Sequence, residues 1–134
     1  MGTRSLTFVY DDSSTDDGSA EAIMCIYRQY DGYPSGHGHE LAQFLNSKTI
    51  VNGYGEQNSM EANGMSCLAA QLVVQLKHGV GGIYIYPVSS TDCFQDYEYH
   101  VYEDKVIVKD PTAVIFEGTW EEFGQFCLDP ISVE

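Results

Sequence analysis

The chain has 134 residues, 43% of them hydrophobic and 19% charged, which is typical of one folded domain and not of a disordered tail or a membrane protein. Six Lys and Arg residues against 20 Asp and Glu residues give a net charge of −14. This charge argues against long DNA or RNA as a partner, because phosphate contacts need clustered cations. A small anionic ligand needs only a few local donors and remains compatible with it.

Apolar spacing predicts a single α+β domain over residues 1–134. Alternating apolar residues predict strands at 5–10 and 22–30, joined as a hairpin by an acidic loop at 11–19. Helical spacing predicts one helix at 39–47 and a second from Ala62 or Gly64 to Lys77, with a short extended piece at 50–54 between them. Further strands are predicted at 83–88, 97–103, 105–109 and 113–116. A short C-terminal helix at 120–126 follows, with Thr119 and Glu122 as its capping box.

This order predicts a mostly antiparallel sheet with two main helices and the short C-terminal helix covering one face. The orientation of the strand at 97–103 relative to the helices is not determined by the pattern. Tyr97, Tyr99 and Val101 share one face of their strand, and Glu98, His100 and Tyr102 share the other. The pattern does not indicate which of these faces meets the helices.

The ends and the cysteines predict a cytoplasmic protein without a membrane partner. The first segment lacks the features of a signal peptide, and no run approaches the roughly 18 apolar residues of a membrane span. The four cysteines are widely spaced, without a C-x-x-C pair. We therefore expect free, mostly buried thiols, and neither a disulfide framework nor a zinc site.

A glycine-rich turn between the second strand and the first helix carries the functional hypothesis. Gly32, Gly36 and Gly38 permit close backbone approach, and the amides at a helix start favour an anion. Side chains around the turn add hydroxyl, imidazole and guanidinium donors for a phosphate. The predicted ligand-binding residues are Arg4, Arg28, Asp31, Gly32, Tyr33, Pro34, Ser35, Gly36, His37, Gly38 and His39.

The alternative interpretation of this turn is purely structural. Glycine and proline are common in strand-to-helix connections that bind nothing. The segment is not a Walker A motif, because no Lys-Ser/Thr pair follows the glycines, and it is not G-x-G-x-x-G. The density of functional side chains in so short a turn favours the ligand hypothesis over this alternative.

Other clusters have a structural explanation beside a chemical one. His37, His39 and Glu40 could seed a metal site, but the dipole at a helix start opposes a cation. Cys67, near the start of the second helix, could be a nucleophile if paired with His37 or His39, and the alternative is a buried structural cysteine. The acids at 11, 12, 16 and 17 lack calcium-loop spacing and are expected to be solvated. We predict no metal and no cofactor.

The segment Tyr27-Arg28-Gln29-Tyr30-Asp31-Gly32-Tyr33-Pro34-Ser35-Gly36-His37-Gly38, with the start Met1-Gly2-Thr3-Arg4-Ser5, resembles a family of small bacterial and bacteriophage proteins. That family shares a Y-R-x-x-D-G-Y-P-x-G-H-G signature. The resemblance implies a cytosolic, phage-related setting, and the host cytoplasm if a phage encodes the chain. It transfers no catalytic residue. Small acidic phage proteins include sponges that sequester nucleotide signals of host immunity, and we assign the same role to this chain by analogy.

Three functions follow as hypotheses. The first is a binding protein, a homodimer or larger homo-oligomer, that sequesters a phosphorylated nucleotide or cyclic nucleotide without chemistry. In this hypothesis Arg28, and Arg4 from the neighbouring strand, hold the phosphate, and Tyr33 or another ring stacks on the base. The second is a nucleotide hydrolase or lyase that uses His37 or His39 as general acid or base, oriented by Asp31. The third is an acidic protein-interaction module.

Overall fold

We describe a computed structural model of residues 2–11, 21–51, 60–91 and 93–128. The strands are β1 (Ser5–Tyr10), β2 (Ala22–Arg28), β3 (Thr49–Val51), β4 (Glu61–Asn63), β5 (Ile83–Tyr86), β6 (Tyr97–Val101), β7 (Val106–Lys109) and β8 (Val114–Gly118). The α-helices are α1 (His39–Asn46), α2 (Gly64–Leu76) and α3 (Trp120–Leu128), and a π-helical turn spans Pro34–Gly38. The acidic loop predicted at 11–19 lies outside the described residues beyond Asp11.

Six of the described strands form one sheet in the order β5-β2-β1-β6-β7-β8. Neighbouring strands are antiparallel, except for β1 and β6, which are parallel. The short strands β3 and β4 form a separate parallel pair. The predicted α+β class and the mostly antiparallel sheet are therefore confirmed, and β4 is an addition that the sequence interpretation lacked.

The two faces of the sheet bury different clusters. Tyr99 and Val101, both fully buried, belong to the main core, in which the Tyr99 ring meets that of Phe123 on α3 edge-on at 6.1 Å. This contact resolves which face of β6 meets the helices. On the opposite face a smaller apolar cluster surrounds Leu6 and Phe8. Burial of each large apolar side chain contributes roughly 1.5–3 kcal/mol, so the main core supplies most of the stability.

Local chemistry explains where the predicted bounds hold and where they shift. Glu122 accepts from the backbone N–H of Thr119 at 2.8 Å, and Thr119 Oγ1 accepts from the N–H of Glu122 at 3.1 Å, so the predicted capping box is confirmed. Helix α2 begins at Gly64 and not at Ala62, because Gly64 takes a φ of +81°, which ends helical geometry on its N-terminal side.

In the described ranges no helix combines the length and apolar composition needed to cross a bilayer. Cys25 and Cys127 are buried, and Cys67 and Cys93 are partly buried, all four as free thiols. Burial raises the pKa of the Cys25 and Cys127 thiols to about 12, so both stay protonated at neutral pH.

Candidate functional site

The segment from Asp31 to His39, here called the glycine corner, turns the chain from β2 into α1. Asp31 takes a left-handed φ of +60°, which short polar residues tolerate better than bulky ones. Tyr33 is extended and precedes the π-helical turn, with Pro34 at its first position. Because this turn continues directly into α1, the helical segment starts five residues earlier than predicted, at Pro34 and not at His39.

The backbone amides of the three glycines of the corner and of His37 donate to carbonyl oxygens of the protein itself. The pairs are Gly32 N–H with Thr3 O at 2.8 Å, Gly36 N–H with Tyr33 O at 2.9 Å, His37 N–H with Asp31 O at 2.7 Å and Gly38 N–H with Tyr33 O at 3.4 Å. The expectation that these amides are free to hold a phosphate is therefore wrong. The π-helical geometry lets the carbonyls at the turn's own start satisfy donors that an ordinary helix start leaves open.

The glycines of the corner are required by close packing. A Cβ on Gly32 would lie 2.8 Å from Ser5 Cβ and 2.9 Å from the backbone of Arg4, and one on Gly38 would lie 2.9 Å from the sulfur of Cys127. Both glycines are buried. Their role is to let the corner sit against β1 and α3, which is the structural interpretation of the pattern.

Replacing Gly32 with Ala is expected to lower the free energy of unfolding by about 1–3 kcal/mol, since the added methyl group meets backbone and cannot move aside. Urea denaturation followed by circular dichroism measures this change. Gly79→Ala provides a contrast, because no atom lies within 4 Å of its Cβ position and its cost would come from its φ of +77° alone. An unchanged midpoint for Gly32→Ala would contradict the packing role.

The side chain of His37 is fully buried, and both of its ring nitrogens are hydrogen-bonded. Arg28 Nη1 donates to Nδ1 at 3.2 Å, so Nε2 carries the proton and donates to Thr7 Oγ1 at 2.7 Å. The edge of the ring packs against Tyr99 at 5.0 Å between centroids, and the Tyr99 hydroxyl donates to Gly32 O at 2.6 Å. His37 thus connects β1, β2, β6 and the corner.

Burial, with a smaller contribution from the charge of Arg28, lowers the pKa of His37 from its usual 6.5 to about 3. The ring is neutral at physiological pH and has no access to solvent. A general acid or base must exchange its proton with a substrate, so this placement does not favour His37 in the hydrolase hypothesis. His39, which is partly buried, is the remaining histidine of the corner.

Arg28 lies at the rim of the same network, with its side chain 16% exposed. It donates from Nε to Tyr30 O at 2.9 Å, from Nη1 to His37 and from Nη2 to Glu40 Oε1 at 3.0 Å. Two of these acceptors are fixed parts of the fold, so the guanidinium plane is preorganised. Glu40 differs from them, because its side chain is 48% exposed.

Several residues close to Arg28 in the sequence are exposed. Tyr30 is 54% exposed and Tyr33 is 38% exposed, and the Tyr33 hydroxyl donates to the carboxylate of Asp31 at 3.3 Å. Asp31 and Ser35 are exposed, whereas Pro34 is buried. The corner therefore presents side chains to solvent, whereas its hydrogen-bonded amides are not available to a ligand.

The structure separates Arg4 from the rest of the predicted site. Arg28 pairs with Ser5 across the β1–β2 ladder and shares the helix-covered face with it. Arg4, one residue earlier, projects to the opposite face, where its charge acts on Tyr27. Arg4 and Arg28 therefore lie on opposite faces of the sheet, and the structure does not bring together the two arginines that were expected to hold one phosphate.

Sequence reasoning missed three partners of the site. Thr7 and Tyr99 lie at inward-facing strand positions, and Glu40 was considered only as a metal ligand. A polar residue between apolar ones, as Thr7 is between Leu6 and Phe8, was the available signal, because a buried hydroxyl needs a partner. Within the described ranges no three His, Cys, Asp or Glu side chains are grouped to hold a metal ion.

Comparisons with protein-family models, with curated proteins and with solved structures each return no match. The resemblance of the Tyr27–Gly38 segment to the bacterial and phage family stays a prediction.

Proposed function

We propose that this protein binds a small phosphorylated ligand of nucleotide type and sequesters it without chemical change. The observation that carries the proposal is the preorganised Arg28 guanidinium at the rim of the glycine corner, whose third acceptor is the half-exposed carboxylate of Glu40. A phosphate oxygen replaces Glu40 on Nη2 and gains a charge-assisted hydrogen bond. Guanidinium is well suited to this exchange, because it is always charged and presents donors in a fixed plane.

Exposed and partly exposed side chains of Tyr30 and of the glycine corner supply the rest of the binding surface. Ser35 offers a hydroxyl donor and His39 an imidazole, and either the Tyr30 or the Tyr33 ring is available to stack on a base. Base–aromatic stacking contributes roughly 1–3 kcal/mol per base and tolerates different bases. In the phage setting that the resemblance implies, such binding lowers the free concentration of a host nucleotide signal.

A capture experiment tests the proposal and separates it from its alternatives. The purified protein is incubated with a mixture of mononucleotides and cyclic mono- and dinucleotides, free ligand is removed, and the denatured sample is analysed by mass spectrometry. Release of an intact nucleotide is the expected result. Release of a cleaved product would overturn sequestration in favour of the hydrolase, and no retained nucleotide would overturn nucleotide binding in favour of the interaction module.

The chain offers a matched control for this capture. Arg28→Gln and Arg4→Gln remove the same charge, but Arg4 lies on the other face of the sheet. Capture is expected to be lost in Arg28→Gln and retained in Arg4→Gln. Equal loss in both variants would show that net charge, and not the corner, governs retention.

A further inference from the structure

A second group of polar side chains lies on the sheet face opposite the helices, away from the glycine corner. Tyr10 ends β1, and Glu98 and His100 belong to the parallel neighbour β6, where His100 pairs with Phe8. The Tyr10 hydroxyl lies 2.7 Å from His100 Nδ1, and His100 Nε2 lies 2.9 Å from Glu98 Oε1. The three side chains form a continuous hydroxyl–imidazole–carboxylate chain.

The direction of the hydrogen bonds follows from the carboxylate. The hydrogen bond from His100 holds the pKa of Glu98 below its usual range, so Glu98 is ionised and only accepts. In the neutral imidazole, Nε2 therefore carries the proton and Nδ1 accepts from the Tyr10 hydroxyl. A carboxylate that fixes the tautomer, a neutral base and a hydroxyl in hydrogen-bond reach form the arrangement that activates hydroxyl nucleophiles.

Packing holds the members of this chain in place. The His100 ring stacks on Phe8 at 4.9 Å, and the Tyr10 ring stacks on Tyr102 at 4.2 Å. The second oxygen of Glu98 accepts from Gln95 Nε2 at 2.8 Å. Both rings and the carboxylate are therefore preorganised, whereas a cross-strand aromatic pair that only stabilised the sheet would not require the carboxylate behind the imidazole.

We propose that Tyr10 is a nucleophile activated by His100 and Glu98, and that it reacts with an acyl or phosphoryl donor that carries no net charge. Burial, the neighbouring Tyr102 and the charge of Glu98 raise the pKa of Tyr10 well above its usual 10, so free phenolate is scarce at neutral pH. The phenol proton must then pass to His100 during attack. The charge of Glu98 repels an anionic donor, which favours a neutral one.

An aryl sulfonyl fluoride is a neutral probe of this chemistry. In the reaction the bond from Tyr10 Oη to sulfur forms as the sulfur–fluorine bond breaks. Fluoride leaves with the bonding pair, and the phenol proton moves to His100 Nδ1. Peptide mapping by mass spectrometry gives the rate of labelling at each tyrosine, and the exposed Tyr30 and Tyr84 in the same sample serve as references.

Labelling of Tyr10 is expected to be at least tenfold faster than that of Tyr30 and Tyr84. His100→Gln and Glu98→Gln are each expected to slow it at least tenfold, with the rates at Tyr30 and Tyr84 unchanged. Free imidazole is expected to restore labelling of Tyr10 in His100→Ala, which a structural role for His100 would not produce. The ¹⁵N shifts of the native His100 ring are expected to show protonated Nε2 and unprotonated Nδ1.

Equal labelling of Tyr10 and the reference tyrosines would overturn the proposal. So would a native rate in either His100→Gln or Glu98→Gln, failure of the imidazole rescue, or the opposite tautomer. The labelling ratio and the tautomer are both measured on the unaltered protein, so they test the proposal even where a variant fails to fold. Because Arg28→Gln leaves this face untouched, these outcomes are independent of those for the glycine corner.

Discussion

Replacing Arg28 with Gln is expected to weaken binding of the captured ligand by roughly 10- to 100-fold. A hydrogen bond to a charged group contributes about 1.5–3 kcal/mol, and each 1.4 kcal/mol is a factor of ten in affinity. Gln removes the positive charge and leaves a polar amide at the rim of the network. Isothermal titration calorimetry of the captured nucleotide against both proteins measures the difference.

Replacing Glu40 should strengthen ligand binding, because Glu40 occupies the Nη2 donor of Arg28 in the free protein. Glu40→Gln is expected to raise the affinity by up to about fivefold, since partly exposed ion pairs are worth about 0.2–1 kcal/mol. Arg4→Gln is expected to change the affinity less than threefold at 0.15 M salt, where distant charges are screened. An Arg28→Gln affinity equal to that of Arg4→Gln would contradict the assignment of the site.

The free energy of unfolding is expected to fall as the pH drops from about 6.5 to about 3, through His37. The unfolded chain takes up a proton on this ring near pH 6.5, whereas the folded protein does so only near pH 3. Stability from this group is therefore complete above pH 6.5 and decreases below it, by up to ~1.4 kcal/mol per pH unit. Urea denaturation at pH 7, 6 and 5 measures the slope.

His37→Gln is expected to be less stable at pH 7 and to lose most of this pH dependence between pH 6.5 and 5. His39→Gln is the matched control and should retain it. Glu98, whose lowered pKa stabilises the folded state above about pH 4.5, loses that stabilisation only as the pH falls further, so it adds no slope between pH 6.5 and 5. The same slope in His37→Gln as in the native protein would show that His37 does not titrate as its burial requires.

The fold was predictable where local chemistry decides it. The alternation of apolar residues in β1 and β2 and the helical spacing of apolar residues in α2 specify these elements directly. The Thr119 and Glu122 pair specifies the start of α3. Two features depend on distant partners and had no local signal. The face of β6 that meets the helices is fixed by Tyr99 packing on Phe123, and the pairing of β4 depends on β3.

The candidate site was predictable in its location and not in its mechanism. The residue types of the Tyr27–Gly38 segment correctly placed Arg28 and the corner together, because they are close in sequence. Whether the amides were free depended on the π-helical turn and on Thr3, which follow from tertiary packing. The burial of His37 likewise depends on Thr7 and Tyr99, which lie 30 and 62 residues away in sequence.

The most direct test of the central claim observes the Arg28 guanidinium itself. In ¹⁵N NMR spectra, the Nε–Hε signals of Arg28 and Arg4, assigned with Arg28→Gln and Arg4→Gln, are followed as the captured nucleotide is titrated to saturation. A saturable shift of the Arg28 signal with a stationary Arg4 signal is the expected result. An Arg28 signal that stays in place while the nucleotide is fully bound would contradict binding at the glycine corner.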